Sequence, residues 1–254
     1  MSNSDPSWEP KGALISSIPA MPPSVERTLS GSHVTLKPLR ESHTEELYRS
    51  IGGVQNAQLY KYLLGGPFID FESFADFIKS LCERTFCFPY AILVRSPTGH
   101  ETPSSSEEHE GTLEGIICFL NVMPSNRSIE IGLVAFGSLL QRTTAATEAC
   151  YLMMKHGFED LHYVRVEWKA NNFNEPSKRA ALRLGFLFEG LFRKHMVVKG
   201  RSRDTAWFSV IDEEWEGGVR EALESWLRSD NFDEQRRQKT KLEDIRKGIL
   251  VGKK

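Results

Sequence analysis

Between residues 128 and 161 the chain changes its hydrophobic period, and that change constrains the fold more than any other feature. Residues 128–134 read as a strand, which runs through Gly137-Ser138-Leu139-Leu140-Gln141 into a long helical pattern from about Thr143 to Leu161. Its inward positions are Ala146, Ala149, Cys150, Met153 and Met154. A strand followed so closely by a helix belongs to a layered α/β architecture.

The flanking segments extend the pattern. Residues 1–30, rich in Pro and Ser and without a period, predict an extended arm draped over the domain through Trp8, Leu14 and Ile18. Val34-Thr35-Leu36-Lys37 alternates as a strand. Ser42-His43-Thr44-Glu45 has capping-box spacing before the helical positions Leu47, Tyr48 and Ile51. Asp70 is placed to cap a second helix, with Phe74, Phe77, Ile78 and Leu81 inward.

Residues 90–94 and 113–120 are apolar and β-branched enough for central strands. The polar stretch 96–111 between them reads as a hairpin insertion. Residues 164–168 form another strand, Asn174 is placed as an N-cap and Gly185 as a C-terminal cap. Two last strands, about 188–198 and 204–211, flank a hairpin turn at Lys199-Gly200-Arg201-Ser202.

Residues 213–227 place Trp215, Val219, Leu223, Trp226 and Leu227 at amphipathic helical spacing. The charge-dense remainder, including Arg236-Arg237-Gln238-Lys239, reads as a solvated helical tail in preference to a basic patch. The expected organisation is therefore an arm at 1–30, one α/β domain at 31–212, and a C-terminal helical extension at 213–254.

Composition narrows the function classes. A formal net charge of −2 argues against a broad nucleic-acid surface. No apolar run approaches the roughly 18 residues of a membrane span, and no basic stretch leads into an apolar core near the N-terminus. Cys82, Cys87, Cys118 and Cys150 are scattered with no CxxC pair, as reduced thiols of a cytoplasmic protein would be. No histidine stands at ligand spacing to them, so no metal is expected.

The chemistry concentrates where the period changes. The loop before the long helix supplies backbone N–H groups, and the helix start supplies an aligned dipole, together an anion site. Small side chains at Thr143, Thr144, Ala145 and Ala146 let a diphosphate approach the main chain, and Arg142 adds positive charge.

Three segments share a further property. Glu130-Ile131-Gly132-Leu133, the run QRTTAATEA at 141–149, and Asn174-Glu-Pro-Ser177-Lys-Arg-Ala-Ala-Leu-Arg-Leu-Gly-Phe186 stand in an order and spacing similar to the GNAT superfamily. The resemblance runs from about residue 29 to 212 and is to the branch of RimJ/RimL-type N-terminal acetyltransferases. It implies one domain with a central mixed, mostly antiparallel twisted sheet flanked by helices, and transfer of an acetyl group from acetyl-CoA to a primary amine. The acceptor would be a peptide N-terminus, a lysine or a small-molecule amine. One position departs from the pattern: Thr144 stands where the family loop usually has glycine.

The resemblance also implies residue roles. Ile131, Leu133 and Val134 would offer backbone partners to the pantetheine arm, and an N–H there would stabilise the oxyanion. Gln141, Arg142, Thr143, Thr144, Ala145, Ala146 and Thr147 would hold the pyrophosphate. Glu130 would be the general base, or else a strand-edge carboxylate. Ser177 would protonate the departing thiolate, with Asn174 beside it, or Asn174 would only cap the helix. Arg179 would reach the CoA phosphates or face solvent.

Outside the motifs, His195 is a second base candidate because histidine as a residue type exchanges protons near neutrality, with a structural histidine as the alternative. Asp204 would bind a cationic acceptor group or pair with Arg201 or Arg203. Trp168 and Phe173 would line the acceptor cleft, Trp168 equally well serving as core, and Phe68, Phe71, Phe86 and Phe88 suggest an apolar wall. An idle CoA-binding module is the alternative function, motivated by Thr144 and by the two terminal arms. Those arms also allow a homodimer. A hydrolase using Ser177 lacks a GxSxG elbow around it.

Overall fold

The computed structural model describes residues 12–85, 87–95 and 111–252. The expectations placed on Trp8, Phe86 and residues 96–110 lie outside the described residues. Eight strands form one sheet: β1 (Leu29–Ser30), β2 (Val34–Pro38), β3 (Phe88–Arg95), β4 (Gly111–Met123), β5 (Ser128–Phe136), β6 (Arg165–Asn171), β7 (Leu187–Val198) and β8 (Arg201–Ile211), in the order β1-β2-β3-β4-β5-β6-β8-β7. Only β5 and β6 run parallel; every other neighbouring pair is antiparallel. The mixed, mostly antiparallel sheet of the sequence reading is thus observed. The two-residue β1 is too short to show a period, and was not visible in the sequence.

Helices cover both faces. α1 (Thr44–Ile51) and α2 (Phe71–Glu83) bury Leu47, Ile51, Phe74 and Ile78 against Ala91, Leu93, Ile116 and Cys118. α3 (Thr144–Lys155) and α4 (Glu175–Leu184) lie on the other face, where Ala149, Met153 and Ala181 meet Ile92, Ile117, Phe119 and Phe208. Being covered on both sides, β3 and β4 read as continuous apolar runs instead of alternating ones.

Local signals set the helix ends. Asp70 accepts from Ser73 N at 2.8 Å and Asn174 accepts from Ser177 N at 3.2 Å, each starting its helix as expected. Gly185, at φ 107°, ends α4 in a conformation that favours glycine. The capping box at Ser42 does not form. A 3₁₀ turn, Glu41–His43, precedes α1, and the His43 ring accepts from Arg40 N at 3.2 Å. Lys199 and Gly200, at φ 51° and 70°, make a two-residue hairpin turn between β7 and β8.

α3 continues as a π turn, His156–Asp160, and so spans most of the predicted helix. Its buried Glu148 accepts from the amides of Ser32, His33 and Val34 at 2.8, 2.6 and 2.9 Å, which pins the β1–β2 hairpin to the helix.

The termini depart from expectation. The arm docks through Ala20, whose N–H donates to Pro124 O at 3.1 Å, and Met21, which donates to Leu161 O at 2.9 Å. Leu14 and Ile18 stay exposed, because they precede that anchor. At the other end α5 (Asp212–Glu214), a π turn (Trp215–Val219) and α6 (Arg220–Leu227) pack on α3, with Trp215 stacked on Phe158 at 5.1 Å. The stretch expected to be a solvated tail folds back as α7 (Leu242–Gly252). Leu242 is fully buried, Ile245 and Ile249 follow it onto the core, and Arg246 donates to the carbonyls of Arg183 and Leu182 at the end of α4. This apolar stripe is hidden in the sequence by the charges around it.

Candidate active site

β5 and β6 pair only through Ser128↔Arg165, Ile129↔Val166 and Glu130↔Glu167; beyond Glu130 they part. β5 bends away at a bulge. Gly132 pairs with Cys118 and Ala135 with Ile116, so β5 carries one extra residue, and Leu133 there adopts φ 47°. The parted strands open a cleft of about 2190 Å³. Single-ligand pockets run to roughly 1,000 Å³, so two substrates can be accommodated.

One wall is the loop and first turn of α3. Gln141 N donates to Gly137 O at 3.1 Å, and the Gln141 side chain donates to Phe136 O at 2.8 Å, so the loop braces itself. Arg142 takes the left-handed turn, φ 61°. Thr143 caps α3, its Oγ1 accepting from Ala146 N at 3.1 Å. The amides of Thr144 and Ala145 find no acceptor among the described residues. They are free to meet an anion at the positive end of the helix. Thr144 lies inside the helix with a negative φ, so glycine's backbone freedom is not needed there. The residues expected to hold the donor all line this cleft: Ile131, Leu133 and Val134; Gln141, Arg142 and Thr143; Thr144, Ala145, Ala146 and Thr147; and Asn174, Ser177 and Arg179.

Across the cleft, α4 presents Ser177. Its Oγ accepts from Trp168 Nε1 at 3.0 Å, which leaves the hydroxyl proton available to another acceptor. Trp168 itself is 5% exposed and packs edge-on against Phe186, so it is both core and cleft wall.

Strand alternation puts charge on the opposite face of the sheet. Val166, Trp168, Ala206 and Phe208 belong to the core under α3 and α4, so Glu167, Lys169, Arg203, Thr205 and Trp207 point the other way. Glu130 joins them. It is 6% exposed, accepts from Asn121 Nδ2 at 2.6 Å and pairs with Lys169 Nζ at 2.8 Å. Gly132 gives that carboxylate room, since a Cβ there would meet its Oε1 at 3.1 Å and Leu120 at 2.8 Å. Lys169 also pairs with Glu167 at 2.9 Å and lies 4.0 Å over the Trp207 ring. At the cleft rim on β4, burial raises the Glu114 carboxyl above its usual range, against a hydrogen bond from Thr112.

Other expected site residues lie elsewhere. His195 is exposed on β7, with Nδ1 3.1 Å from Thr205 Oγ1 and its ring edge-on to Phe192, and it does not line the cleft. Asp204 Oδ1 accepts from Lys194 N at 2.7 Å; it steadies the β7 bulge and pairs with neither Arg201 nor Arg203. Phe173 is 69% exposed and outside the cleft. Of the proposed aromatic wall, Phe68 lines the cleft, stacked on Phe77 at 4.3 Å. Phe71 packs on Tyr48, and Phe88 on the α3-side core.

The sequence reading missed Asn121, Lys169 and the C-terminal segment as cleft residues. Alternating charge in Arg165-Val-Glu167-Trp-Lys169 was the available signal for the second of these. Trp226, Phe232, Arg236 and Gln238 also line the cleft. Trp226 donates to Gln238 at 2.8 Å and carries the Arg183 guanidinium 4.6 Å above its ring.

A parted strand pair, a bulge at the split and a helix N-terminus aimed into the gap define enzymes that thread a phosphate-bearing acyl donor through a sheet. Residues 33–187 match the family described as Acetyltransferase (GNAT) domain. Over 186 residues the chain is 31% identical to the Bacillus subtilis protein named "Putative ribosomal N-acetyltransferase YdaF", covering 73% of this chain and 94% of that one. A crystal structure of a GCN5-related N-acetyltransferase from Brucella melitensis is similar with a TM-score of 0.82 at 35% identity, covering 91% of this chain and 98% of that one. The chain belongs to the GNAT family, in its RimJ/RimL-like branch, and is an acetyl-CoA-dependent N-acetyltransferase. No helix among the described residues is long and apolar enough to cross a membrane.

Proposed function

We propose that acetyl-CoA binds with its pyrophosphate on the Thr144 and Ala145 amides and its pantetheine arm along Ile131, Leu133 and Val134. The amine then reaches the thioester from the Glu130 side. The observation that carries this reading is the pair of unclaimed amides at the start of α3, opening into the gap between β5 and β6.

In this mechanism Glu130 accepts the proton of the substrate ammonium, through water. Lys169 and Asn121 hold its carboxylate in position. The neutral amine attacks the acetyl carbonyl, and a β5 amide near the bulge stabilises the oxyanion. The attacking nitrogen gives its second proton to solvent as the C–S bond breaks, and the Ser177 hydroxyl, oriented by Trp168, protonates the thiolate and regains its proton from solvent. His195, Asp204 and Phe173 enter no step, consistent with their positions outside the cleft. The acceptor is a primary amine, with a peptide N-terminus suggested by the name of the ribosomal relative. We place the enzyme in the cytoplasm. The exposed Leu14, Ile15 and Ile18 favour pairing of two copies through the arm.

The test is a thermal-shift measurement with acetyl-CoA, followed by thiol release across a panel of primary amines. A shift with turnover supports the proposal. A shift without turnover on any amine favours an idle binding module, and no shift removes the donor site altogether.

A further inference from the structure

Arg203 is a cleft residue with no use in the reaction just described. It projects from β8 beyond the end of β6, on the sheet face away from α3 and α4, and lines the acceptor side of the cleft. Only 8% of it is exposed, and its Nε has no hydrogen-bond partner. No ion pair to it forms among the described residues. A guanidinium so desolvated and so unsatisfied is costly unless something completes it.

The surroundings do not supply that partner. Glu130 is held by Lys169 and Asn121, and Glu167 by Lys169 and Arg165. Asp204, next in sequence, points to the other face and is spent on Lys194 N. Burial pulls the Arg203 guanidinium below its ordinary pKa, and Glu130 offsets this only through space. Meanwhile the hairpin that carries it is anchored, with Lys199 Nζ donating to Tyr60 O at 2.7 Å. The cation is fixed in place with its donors open.

The donor cannot be the missing anion. Its phosphates belong at the start of α3, across the sheet from Arg203. We propose that Arg203 recognises the acceptor, and that the acetylated amine carries an anionic oxygen group, a carboxylate or a phosphate. The ammonium end of such a molecule lies toward Glu130 and its anionic end toward Arg203, so the cleft reads both ends. A forked guanidinium suits either oxyanion. This inference rests on the acetyltransferase reading of the same cleft.

Calorimetry on the CoA-saturated protein tests it with matched amines that differ only in the anion. The pairs are β-alanine against β-alaninamide, O-phosphoethanolamine against ethanolamine, and Ser-Glu amide against Ser-Gln amide. The anionic member of at least one pair is expected to bind roughly 30-fold tighter or more, and which pair responds tells carboxylate from phosphate. Arg203→Met should abolish that preference and Arg203→Lys should restore part of it. Equal binding within every pair, absence of binding by both members included, overturns the proposal, as does a preference that survives Arg203→Met. Melting provides the second readout. Removing an unpaired buried charge should leave Arg203→Met as stable as the parent or more so, whereas a clear drop in Tm would make Arg203 a structural residue and sink the idea. A retained CoA-induced shift alongside equal binding would fail this inference alone; loss of the shift in the parent protein would instead fail the donor site.

Discussion

On the proposed reading, the pyrophosphate side of the donor wall comes from one continuous stretch, Gln141 to Thr147, and would work through main-chain amides. The proposed acceptor wall takes Asn121 from β4, Glu130 from β5, Lys169 from β6 and Arg203 from β8, and would work through polar and charged side chains. A backbone site tolerates changes of side chain so long as the helix starts in the same place. A charge network does not, because removing one member leaves its neighbours buried and unpaired. On that reading Thr144 in the glycine position would be an example of that tolerance, and Arg203, with no ion pair among the described residues, is the counterpart on the other side.

The largest expected effect falls on the acceptor wall. Glu130→Gln keeps the shape and removes the proton acceptor, so kcat/KM should fall about 1,000-fold. Lys169 loses one of its two carboxylate partners but keeps Glu167. The CoA-induced thermal shift should be unchanged. If that shift disappeared as well, the two walls would not be separable. The converse variant is Thr144→Glu, which sets a carboxylate at the positive helix end where phosphate is expected. Steady-state kinetics should show KM for acetyl-CoA raised about 100-fold by like-charge repulsion, with KM for the amine nearly constant. A rise in the amine KM of similar size would show that the walls communicate.

The same contrast explains what could be read from the sequence. The strand, loop and helix start proposed as the donor wall were legible because the parts are adjacent: a strand, a loop, a capping Thr143 and small residues in the first turn lie within a few positions. Asn174, Ser177 and Gly185 were legible for the same reason, since caps act over three or four residues. Lys169 was not, because its meaning depends on which strands flank β6, and β8 inserts between β6 and β7 against chain order. His195 and Asp204 show the converse. Their chemistry is apt, but a bulge in β7 between Phe192 and Met196 and an outer sheet position leave them outside the cleft. The docking of α7 also required knowing that α4 ends in open carbonyls for Arg246 to meet.

A smaller effect is expected where the two walls meet, at Ser177. A thiolate is a good leaving group even without a proton, since thiols ionise near pKa ~8.5. Ser177→Ala should therefore lower kcat only about 10-fold and leave both KM values alone. Trp168 Nε1 also loses its acceptor, which should cost about 1 kcal/mol of stability and appear as a modestly lower Tm. A loss of 1,000-fold would put Ser177 on a par with Glu130 and make proton delivery to sulfur as demanding as proton removal from nitrogen.

The smallest expected effect is the most direct test of backbone tolerance. Thr144→Gly restores the residue common in related loops. Because Thr144 already has a helical φ, glycine relieves no strain. It can only widen the approach to the amides and remove a hydroxyl, two changes of opposite sign for phosphate binding. KM for acetyl-CoA should therefore move by less than about threefold, near half a kcal/mol. Glycine's extra freedom in the unfolded chain should cost about 0.5 kcal/mol, or roughly 1–2 °C in Tm. A tenfold change in KM in either direction would mean that the side chain at 144 governs the donor site. The donor wall would then be as dependent on residue identity as the charged wall opposite, and the distinction between them would fail.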